Sequence, residues 1–542
     1  MGFETFIKLA DKILGTQVVE RIPSPKKEQP FTESISTMRI LAIFAGACFV
    51  LIGLVNLLSD LWMDECLTID LILSKRVNSI LDIYYSYKLA NNHLLYTLFL
   101  YLWNMALRGQ TELFFRLPSL FFAILTIIVF FVSGRKIFRH PSAGFFCVLL
   151  LTFNPIYIGF FYQVRGYSLS ILLATIATAG VLYIVRDERT LGVSLFALGA
   201  IPLPCIIPSN LLLNLTLVIF VAIFYYREKR FLFNILFTLM LFGIALCGMI
   251  FYIPIIDRLH FVMMNTSGWA SRTALIGHWL LAVFATCGLI LLGTYALAIQ
   301  ARKRYFPGED IPLNADVYAN RVQRHLPVLL ALCITIPAIV SLIKPAFPRI
   351  FLPFLPPLIF SCLIWFDQAA LKIPRLFFII IFFIIGNFFI WTRLAAWEEE
   401  RSRLHGHLRQ NLLQQFYSGN KDFSQIALAL HRSGMIKPYT RIFVDWHFYF
   451  TFSRYWLSLN HSLKQVECLG WNKVPLKLEK KHYLYIPKIA ITYAPEPFRR
   501  RLEEELGTKI ILIPVSSGGL LRVFQVITPP PTQPFGKPFV PN

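Results

Sequence analysis

The chain has 542 residues, of which 56% are hydrophobic and only 15% are charged. A water-soluble domain normally carries about a quarter charged residues, so this composition excludes an ordinary soluble enzyme. The net charge of +22 does not predict nucleic-acid binding, because basic residues of membrane proteins collect at anionic lipid surfaces and in cytoplasmic loops.

Residues 1–37 form a polar tail that includes Lys26 and Lys27, and the first apolar run begins near Met38. We interpret this run as a signal anchor rather than a cleavable signal peptide. Apolar runs near twenty residues then recur as far as residue 391, each long enough to cross about 30 Å of hydrocarbon as a helix. They predict a polytopic α-helical membrane protein with about eleven transmembrane helices, at 38–58, 113–133, 142–161, 166–185, 191–207, 210–225, 231–253, 277–299, 326–343, 350–366 and 376–391.

The apolar segment 93–107 is excluded from these spans because a helix of its length extends only about 22 Å, which is shorter than the hydrocarbon core. We predict that it is an interfacial or re-entrant helix within a first outer loop, 62–112. The short loops on the N-terminal side then carry fifteen Lys and Arg residues, in 134–141, 186–190, 226–230, 300–325 and 367–375.

The short loops on the other side, after the second span, carry only five basic residues: Arg165, Arg258, Arg272, Lys344 and Arg349. The positive-inside rule therefore places the N-terminus in the cytoplasm. It places Asp64, Arg165, Arg349 and the C-terminal region outside.

Residues 392–528 differ from the rest of the chain. Short β-rich runs lie at 441–446, 482–487, 509–515 and 520–527, and helical patterns lie at 422–433 and 496–506. They predict an extracytoplasmic α/β domain, followed by a proline-rich tail at 529–542. The aromatic stretch 445–456 is interpreted as a core helix in preference to a surface for sugar or lipid. A disulfide between Cys66 and Cys468 stays open, because the sequence does not give its geometry.

Asp64 and Glu65 follow the first span directly, in WMDECL. Adjacent residues of a helix point in different directions, so these two acids are not expected to act as one carboxylate pair. One of them can face a cavity while the other braces the loop. The alternative is a helix cap, with Asp64 near the start of a helix at 65–75.

Several cations are predicted on the same side of the membrane. Lys88 and His93 adjoin the interfacial helix, whereas Lys75 and Arg76 suit simple lipid anchoring. Arg165 marks the outer start of a span. Arg349 lies between prolines, which predict a stiff, non-helical segment before the next span.

An arginine buried near hydrocarbon costs about 2.5–3.5 kcal/mol on insertion scales. A bound phosphate would offset this cost through charge-assisted, bidentate hydrogen bonds, while snorkelling to lipid headgroups is the alternative for each arginine alone. An outward acid with several cations indicates a reaction on a lipid-linked phosphate. The carboxylate would take a proton from an acceptor hydroxyl as it attacks the anomeric carbon, and the cations would stabilise the departing phosphate.

Two other functions are alternatives to this reaction. A transporter or flippase of lipid-linked sugars is expected to have two repeated halves and helices interrupted by glycine near the midplane of the membrane. The sequence has no detectable repeat. A non-catalytic scaffold would use the outer domain to bind a partner. No metal or other cofactor is predicted, and no nucleic-acid partner.

Four segments, in this order and spacing, resemble the protein O-mannosyltransferase-like glycosyltransferases (family 39 and relatives), a group that includes the lipid A aminoarabinose transferases. They are WMDECLTIDLILS (62–74), the run from NNHLLYTLFLYLWNMALRG to GRKIF (91–138), YQVRGYSLSILLA (162–174) and KPAFPRIFLPFLP (344–356). The resemblance covers residues 38–391.

This resemblance implies a C-type glycosyltransferase fold in a bacterial cytoplasmic (inner) membrane. It implies a polyprenyl-phosphate-linked sugar donor, an inverting transfer on the outer leaflet, and Asp64 as catalytic base with Glu65 as its companion. Arg165, Arg349 and His93 correspond to family positions near the donor phosphate, and Lys88 is added by its location. The acceptor would be a glycolipid, a glycan or a protein.

The chain departs from the family pattern at two points. Many members have His-Pro-Pro where this chain has His93-Leu94-Leu95. Some members carry an Asp five residues after the second-loop arginine, where this chain has Ser170.

Overall fold

A computed structural model describes most of the chain: residues 46, 49, 53, 57, 59–73, 77–85, 93–109, 111–138, 141–230, 232–265, 272–305, 321–343, 348–365, 381–394, 397, 423–469, 486–492, 495–518 and 521–528. Lys75, Arg76 and Lys88, as well as the proline-rich tail, lie outside the described residues. The chain divides into two compact units. The helical unit comprises Met1–Leu57, Leu71–Ala395 and Gln410–Tyr417, and the α/β unit comprises Leu58–Asp70, Ala396–Arg409 and Ser418–Asn542.

Within the described residues, seven helical segments are long and apolar enough to cross a membrane: Glu112–Ile137, Tyr167–Val185, Arg189–Ile206, Pro208–Arg227, Ile235–Phe261, Leu275–Ala296 and Arg321–Ile343. Four shorter apolar helical segments are Leu94–Leu107, Ala143–Thr152, Arg349–Ile364 and Ile381–Leu394. The protein is a multi-pass membrane protein, and the predicted fold class is confirmed.

Several of these segments are joined from shorter elements. Before residue 400, the described α-helices include Met63–Leu73, Ile80–Tyr85, Leu94–Leu107, Glu112–Ile137, Pro141–Thr152, Pro155–Phe160, Tyr167–Val185, Arg189–Ala200, Pro202–Ile206, Leu211–Arg227, Ile235–Cys247, Ile256–Asn265, Arg272–Val283, Leu289–Tyr305, Arg321–Ile343 and Leu355–Ser361. Short 3₁₀ helices lie at Pro208–Asn210, Leu232–Asn234, Gly248–Ile255, Pro348–Phe354 and Cys362–Trp365, and a π-helical turn lies at Phe284–Gly288.

The short helix Leu94–Leu107 matches its prediction as a helix, with a length of about 21 Å at 1.5 Å per residue. The predicted span 142–161, by contrast, is interrupted after Thr152. Asn154 accepts hydrogen bonds through Oδ1 from the backbone N–H groups of Ile156 and Tyr157, each at 3.0 Å, and Pro155 follows at the first helical position. This N-cap starts a new helix, because Asn and Pro favour the first positions of a helix over its interior. The predicted span 38–58 lies almost entirely outside the described residues.

The segment that carries Arg349 differs from its prediction. We expected a non-helical start, yet Pro348–Phe354 is a 3₁₀ helix that continues into Leu355–Ser361. Proline fixes φ near −65°, which suits a helical turn as well as an extended segment.

The helix Tyr167–Val185 lies at the centre of the helical unit and is almost completely buried. It packs closely against Arg189–Ala200 because both helices present small residues. A β-carbon on Gly180 would lie 2.4 Å from the backbone nitrogen of Phe196, so only glycine allows this approach. Close packing through small residues is the usual way in which membrane helices associate.

The α/β unit contains a five-stranded sheet in the order β2-β1-β3-β5-β4. The strands are β1 Arg441–Asp445, β2 Val466–Leu469, β3 Lys488–Thr492, β4 Ile511–Gly518 and β5 Leu521–Ile527. β1 pairs in parallel with β2 and β3, while β5 pairs antiparallel with β3 and β4. The predicted strands at 441–446, 509–515 and 520–527 are confirmed, and β2 was missed. Most of the strand predicted at 482–487 lies outside the described residues, and β3 begins directly after it, at Lys488.

Helices cover both faces of the sheet. Phe423–Arg432 and Trp446–Ser458 pack on one face, where Phe448, Phe452 and Trp456 are buried against Ile442 and Val444. Pro495–Leu506 packs on the other face, against Phe443. The four-residue spacing of the three aromatic side chains puts them on one side of their helix, and they form core there, as predicted for the aromatic stretch.

The α/β unit also contains residues 58–70, of which 62–70 belong to the segment assigned by sequence to the first outer loop. Three polar contacts bind this stretch to the unit. Asp60 accepts from Ser424 Oγ at 2.8 Å, Leu61 N donates to Tyr455 Oη at 2.9 Å, and Asp70 pairs with Arg454 at 3.0 Å. Cys66 and Cys468 are free thiols, so the disulfide left open by the sequence is not formed. Burial raises the pKa of the Cys66 thiol.

Candidate functional site

Asp64 and Glu65 begin the helix Met63–Leu73 in the α/β unit. The Glu65 carboxylate accepts a hydrogen bond from the backbone N–H of Trp62 at 2.8 Å. This contact is one half of a capping box, in which the third helical residue accepts from the N-cap backbone. The helix thus starts earlier than expected, and Glu65 makes the cap contact that the sequence suggested for Asp64.

Asp64 is buried, with 4% of its surface exposed. Its backbone carbonyl accepts from Thr68 Oγ1 at 2.9 Å, which holds the first turn in helical form. A carboxylate in the first turn is favoured by the helix dipole. Both acids therefore lie in the first turn of one helix, and as adjacent helical residues their side chains point in different directions.

In the helical unit, His93 lies at the start of Leu94–Leu107 and is 2% exposed. Its carbonyl accepts from the backbone and the hydroxyl of Thr97, at 2.8 and 3.1 Å. Its ring meets Tyr167 edge to face, with centroids 4.5 Å apart. Neither ring nitrogen has a hydrogen-bond partner within the described part of the chain.

Gly166 allows His93 and the helix Tyr167–Val185 to come this close. A β-carbon on Gly166 would lie 2.9 Å from His93 Nδ1, 2.5 Å from Ile206 Cγ2 and 3.0 Å from Tyr96 Cβ. Any larger residue would have to push at least one of these groups away. The Arg-Gly-Tyr sequence thus lies directly against the start of the helix Leu94–Leu107.

A chain of hydrogen bonds fixes the residues just before Arg165. Tyr96 Oη and Ser119 Oγ are 2.6 Å apart, and Ser119 Oγ donates to the carbonyl of Gln163 at 2.6 Å. The amide of Gln163 donates to Gly159 O at 2.8 Å. These bonds tie three helical segments to the backbone that carries Arg165, and so restrict where its guanidinium can reach.

Arg165 is 3% exposed, and Arg349 lies in the 3₁₀ helix that packs against Tyr167–Val185. Burial and the nearby positive charges of both arginines lower the pKa of His93 well below its usual range. Like charges have this effect over short distances only, so each arginine lies near the imidazole of His93. We call His93, Arg165 and Arg349 the cationic cluster, although His93 is neutral at pH 7.

Ser170, one of the two points at which the chain departs from the family that it resembles, lies inside the helical unit and is 1% exposed. Its hydroxyl accepts from Asn210 Nδ2 at 3.2 Å, and the same amide donates to Leu203 O at 3.1 Å. Ser170 therefore links two helical segments one turn away from Arg165. Within the described residues, no group of three or more His, Cys, Asp or Glu side chains could hold a metal ion.

The structure brings together three of the six predicted site residues. His93, Arg165 and Arg349 share the cationic cluster in the helical unit, and Asp64 and Glu65 share a helix start in the α/β unit. Lys88 lies outside the described residues. The sequence analysis missed Gly166 and Tyr167, although both stand in YQVRGYSLSILLA beside Arg165, where a glycine before an aromatic residue was a visible signal for close approach.

Comparisons with known proteins identify the fold. The sequence matches no family model and no curated protein. Among solved structures, the chain has the fold of the C-type glycosyltransferases. One such structure is ArnT from Cupriavidus metallidurans in the apo state, with a TM-score of 0.51 at 12% identity, covering 91% of this chain and 98% of that chain.

A second crystal structure, ArnT from Cupriavidus metallidurans bound to undecaprenyl phosphate, has a TM-score of 0.47 at 12% identity. It covers 92% of this chain and 98% of that chain. At this level of identity the likeness concerns the fold, and the activity has to be argued from the residues of this chain.

Proposed function

We propose that the protein is a membrane glycosyltransferase that moves a sugar from a polyprenyl-phosphate donor to an acceptor hydroxyl on the outer face of the membrane. The fold shared with ArnT and the four motif segments support this reaction class. Because a fold alone does not determine activity, the proposal depends on the chemistry of the cationic cluster.

The observation that carries the proposal is the burial of Arg165 beside Arg349 and His93. Arginine side chains from two separate elements beside one neutral imidazole give this part of the helical unit a positive charge that suits an anion. Guanidinium groups match phosphate geometry through paired N–H donors.

The chemical consequence concerns the leaving group. A sugar phosphodiester carries one negative charge, and the polyprenyl phosphate that leaves carries more. Donors that are fixed before the reaction stabilise this developing charge without reorganising. Arg165 and Arg349 would therefore bind the transition state more tightly than the donor, which is the requirement for catalysis.

In the proposed mechanism, Asp64 takes the proton of the acceptor hydroxyl as the oxygen attacks the anomeric carbon. The new glycosidic bond forms as the bond to the phosphate oxygen breaks, and the configuration inverts. Glu65 serves as a positioning residue, because its carboxylate holds the backbone of Trp62 and with it the start of the helix. The reaction is proposed to need no metal ion.

Asp64→Asn tests the assignment of the base, since it removes the carboxylate at nearly constant size. We expect cells with this variant to lose the envelope glycan or glycolipid product seen by mass spectrometry, while the purified variant still binds undecaprenyl phosphate. Asp70→Asn is the matched control, because Asp70 lies on the same helix and pairs with Arg454. Full product formation by Asp64→Asn would refute the role of Asp64.

A further inference from the structure

Tyr167 has a feature that its place in the protein core does not explain. The side chain is 1% exposed, yet its hydroxyl has no hydrogen-bond partner among the described residues. Its ring is held on two sides, by His93 at 4.5 Å and by Phe160 at 4.8 Å between centroids. A phenylalanine would make the same ring contacts and would avoid the cost of an unpaired buried hydroxyl.

Other polar atoms at the same place also lack partners within the described chain. They are both ring nitrogens of His93 and the hydroxyl of Ser168, which is fully buried. His93 Nδ1 lies against Gly166, the N-cap residue of the helix. Buried polar groups are nearly always paired in folded proteins, so several unpaired groups at one helix start indicate that a polar ligand belongs there.

The backbone at this helix start favours a negatively charged ligand. The first N–H groups of Tyr167–Val185 have no partners inside the helix, and a 19-residue helix carries partial positive charge at its N-terminus. Helix N-termini of this kind bind phosphate groups. Arg165 immediately precedes this helix start, which adds a full positive charge.

We propose that Tyr167 is a further binding residue for the lipid-linked donor, and that its hydroxyl donates a hydrogen bond to a phosphate oxygen at this helix start. This inference rests on the proposed function, because it takes the donor phosphate as the ligand. The neutral imidazole of His93 donates a second hydrogen bond from one of its nitrogens. Gly166 allows the imidazole of His93 to lie directly beside the helix start.

Tyr167→Phe tests the inference, because it removes one oxygen atom and keeps the ring. Binding of undecaprenyl phosphate to the purified full-length protein in lipid nanodiscs should weaken about 10-fold to 100-fold, as expected for the loss of one hydrogen bond to a charged group. Tyr225→Phe is the matched control. Tyr225 is also fully buried with a hydroxyl that lacks a partner among the described residues, but it lies beside Arg189, and its loss should change the affinity less than twofold.

Thermal unfolding without ligand provides the second readout. The Tm of Tyr167→Phe should equal or exceed that of the parent, because the variant loses an unpaired polar atom. A clear fall in Tm would mean that the hydroxyl has a structural partner, and parental affinity for undecaprenyl phosphate would mean that it has no ligand; either result overturns the inference. If the parent protein itself fails to bind undecaprenyl phosphate, the proposed function falls together with this inference.

Discussion

Glu65 accepts a hydrogen bond from the backbone N–H of Trp62 at 2.8 Å, three residues before it in the chain. Its neighbour Asp64 is the second residue of the helix, and Glu65 is the third. The two acids are adjacent in sequence but take separate positions at one helix start. The carboxylate of Glu65 has a structural task that an uncharged oxygen can also perform.

We therefore expect Glu65→Gln to retain most of the sugar transfer, because the side-chain amide still offers an oxygen to Trp62. Glu65→Ala removes the acceptor and should lower the free energy of unfolding by about 1 kcal/mol, the usual cost of a lost cap. Product formation and Tm, measured for both variants, separate the two effects. Complete loss of transfer in a stable Glu65→Gln protein would show that the charge of Glu65 takes part in the reaction.

The cationic cluster leads to a prediction on donor affinity. Arg165→Ala and Arg349→Ala should each weaken binding of undecaprenyl phosphate about 10-fold or more, since each removes charge-assisted hydrogen bonds. Arg272→Ala, at an exposed arginine, should leave the affinity within about twofold. Titration of the purified proteins with undecaprenyl phosphate in nanodiscs measures this difference. Equal affinity in all three variants would count against a phosphate site at the cluster.

Gly166 gives a prediction on packing. In Gly166→Ala, the new methyl group would meet Ile206, His93 and Tyr96 at 3.0 Å or less, which should cost about 1–3 kcal/mol as overpacking and displace the imidazole. Both Tm and affinity for undecaprenyl phosphate should fall. Gly243→Ala is the control, because no atom lies within 4 Å of its added carbon. If Gly166→Ala keeps the Tm and the undecaprenyl phosphate affinity of the parent protein, His93 does not lie as close to the helix start as described.

His93 gives a prediction on pH. Its pKa is about 6.5 in the unfolded chain and lies well below that value in the folded protein, because of burial and the charges of Arg165 and Arg349. Above pH 6.5 the imidazole is neutral in both states. As the pH falls below 6.5, the unfolded chain binds a proton that the folded chain does not, so stability falls by up to about 1.4 kcal/mol per pH unit.

The Tm of His93→Gln should consequently fall less between pH 7 and pH 5 than the Tm of the parent protein. His260→Gln, at an exposed histidine of the same unit, should follow the parent. Thermal unfolding of the ligand-free proteins across this pH range makes the comparison. If Tm falls equally with pH in the parent protein and in His93→Gln, the folded protein does not lower the pKa of His93, and the prediction is wrong.

The sequence predicted the parts of the fold that depend on composition and period. Apolar length was enough for the long spans, because any helix that crosses the membrane needs about twenty apolar residues. Alternation and β-rich runs were enough for β1, β4 and β5. β2, Val466–Leu469, was missed because four residues carry too little pattern, and its place beside β1 is decided by pairing across the sheet.

The candidate site was only partly predictable, for a related reason. Arg165 and Arg349 stand out in sequence because charges at membrane boundaries are rare, but Arg349 is placed by a 3₁₀ helix that local pattern did not predict. The role of Glu65 in the helix start became clear only when the helix boundary was known. Tyr167 looked like one more aromatic residue, and only its unpaired hydroxyl distinguishes it.

The central claim is that this protein releases polyprenyl phosphate from a lipid-linked sugar. The most direct measurement incubates the purified protein with an envelope lipid extract from cells that lack it and follows undecaprenyl phosphate and its sugar esters by mass spectrometry. We expect the parent protein to convert one sugar ester to undecaprenyl phosphate with transfer of the sugar, and Asp64→Asn to leave that ester intact. Sugar esters that stay at the level of the protein-free control in the presence of folded parent protein would contradict the account.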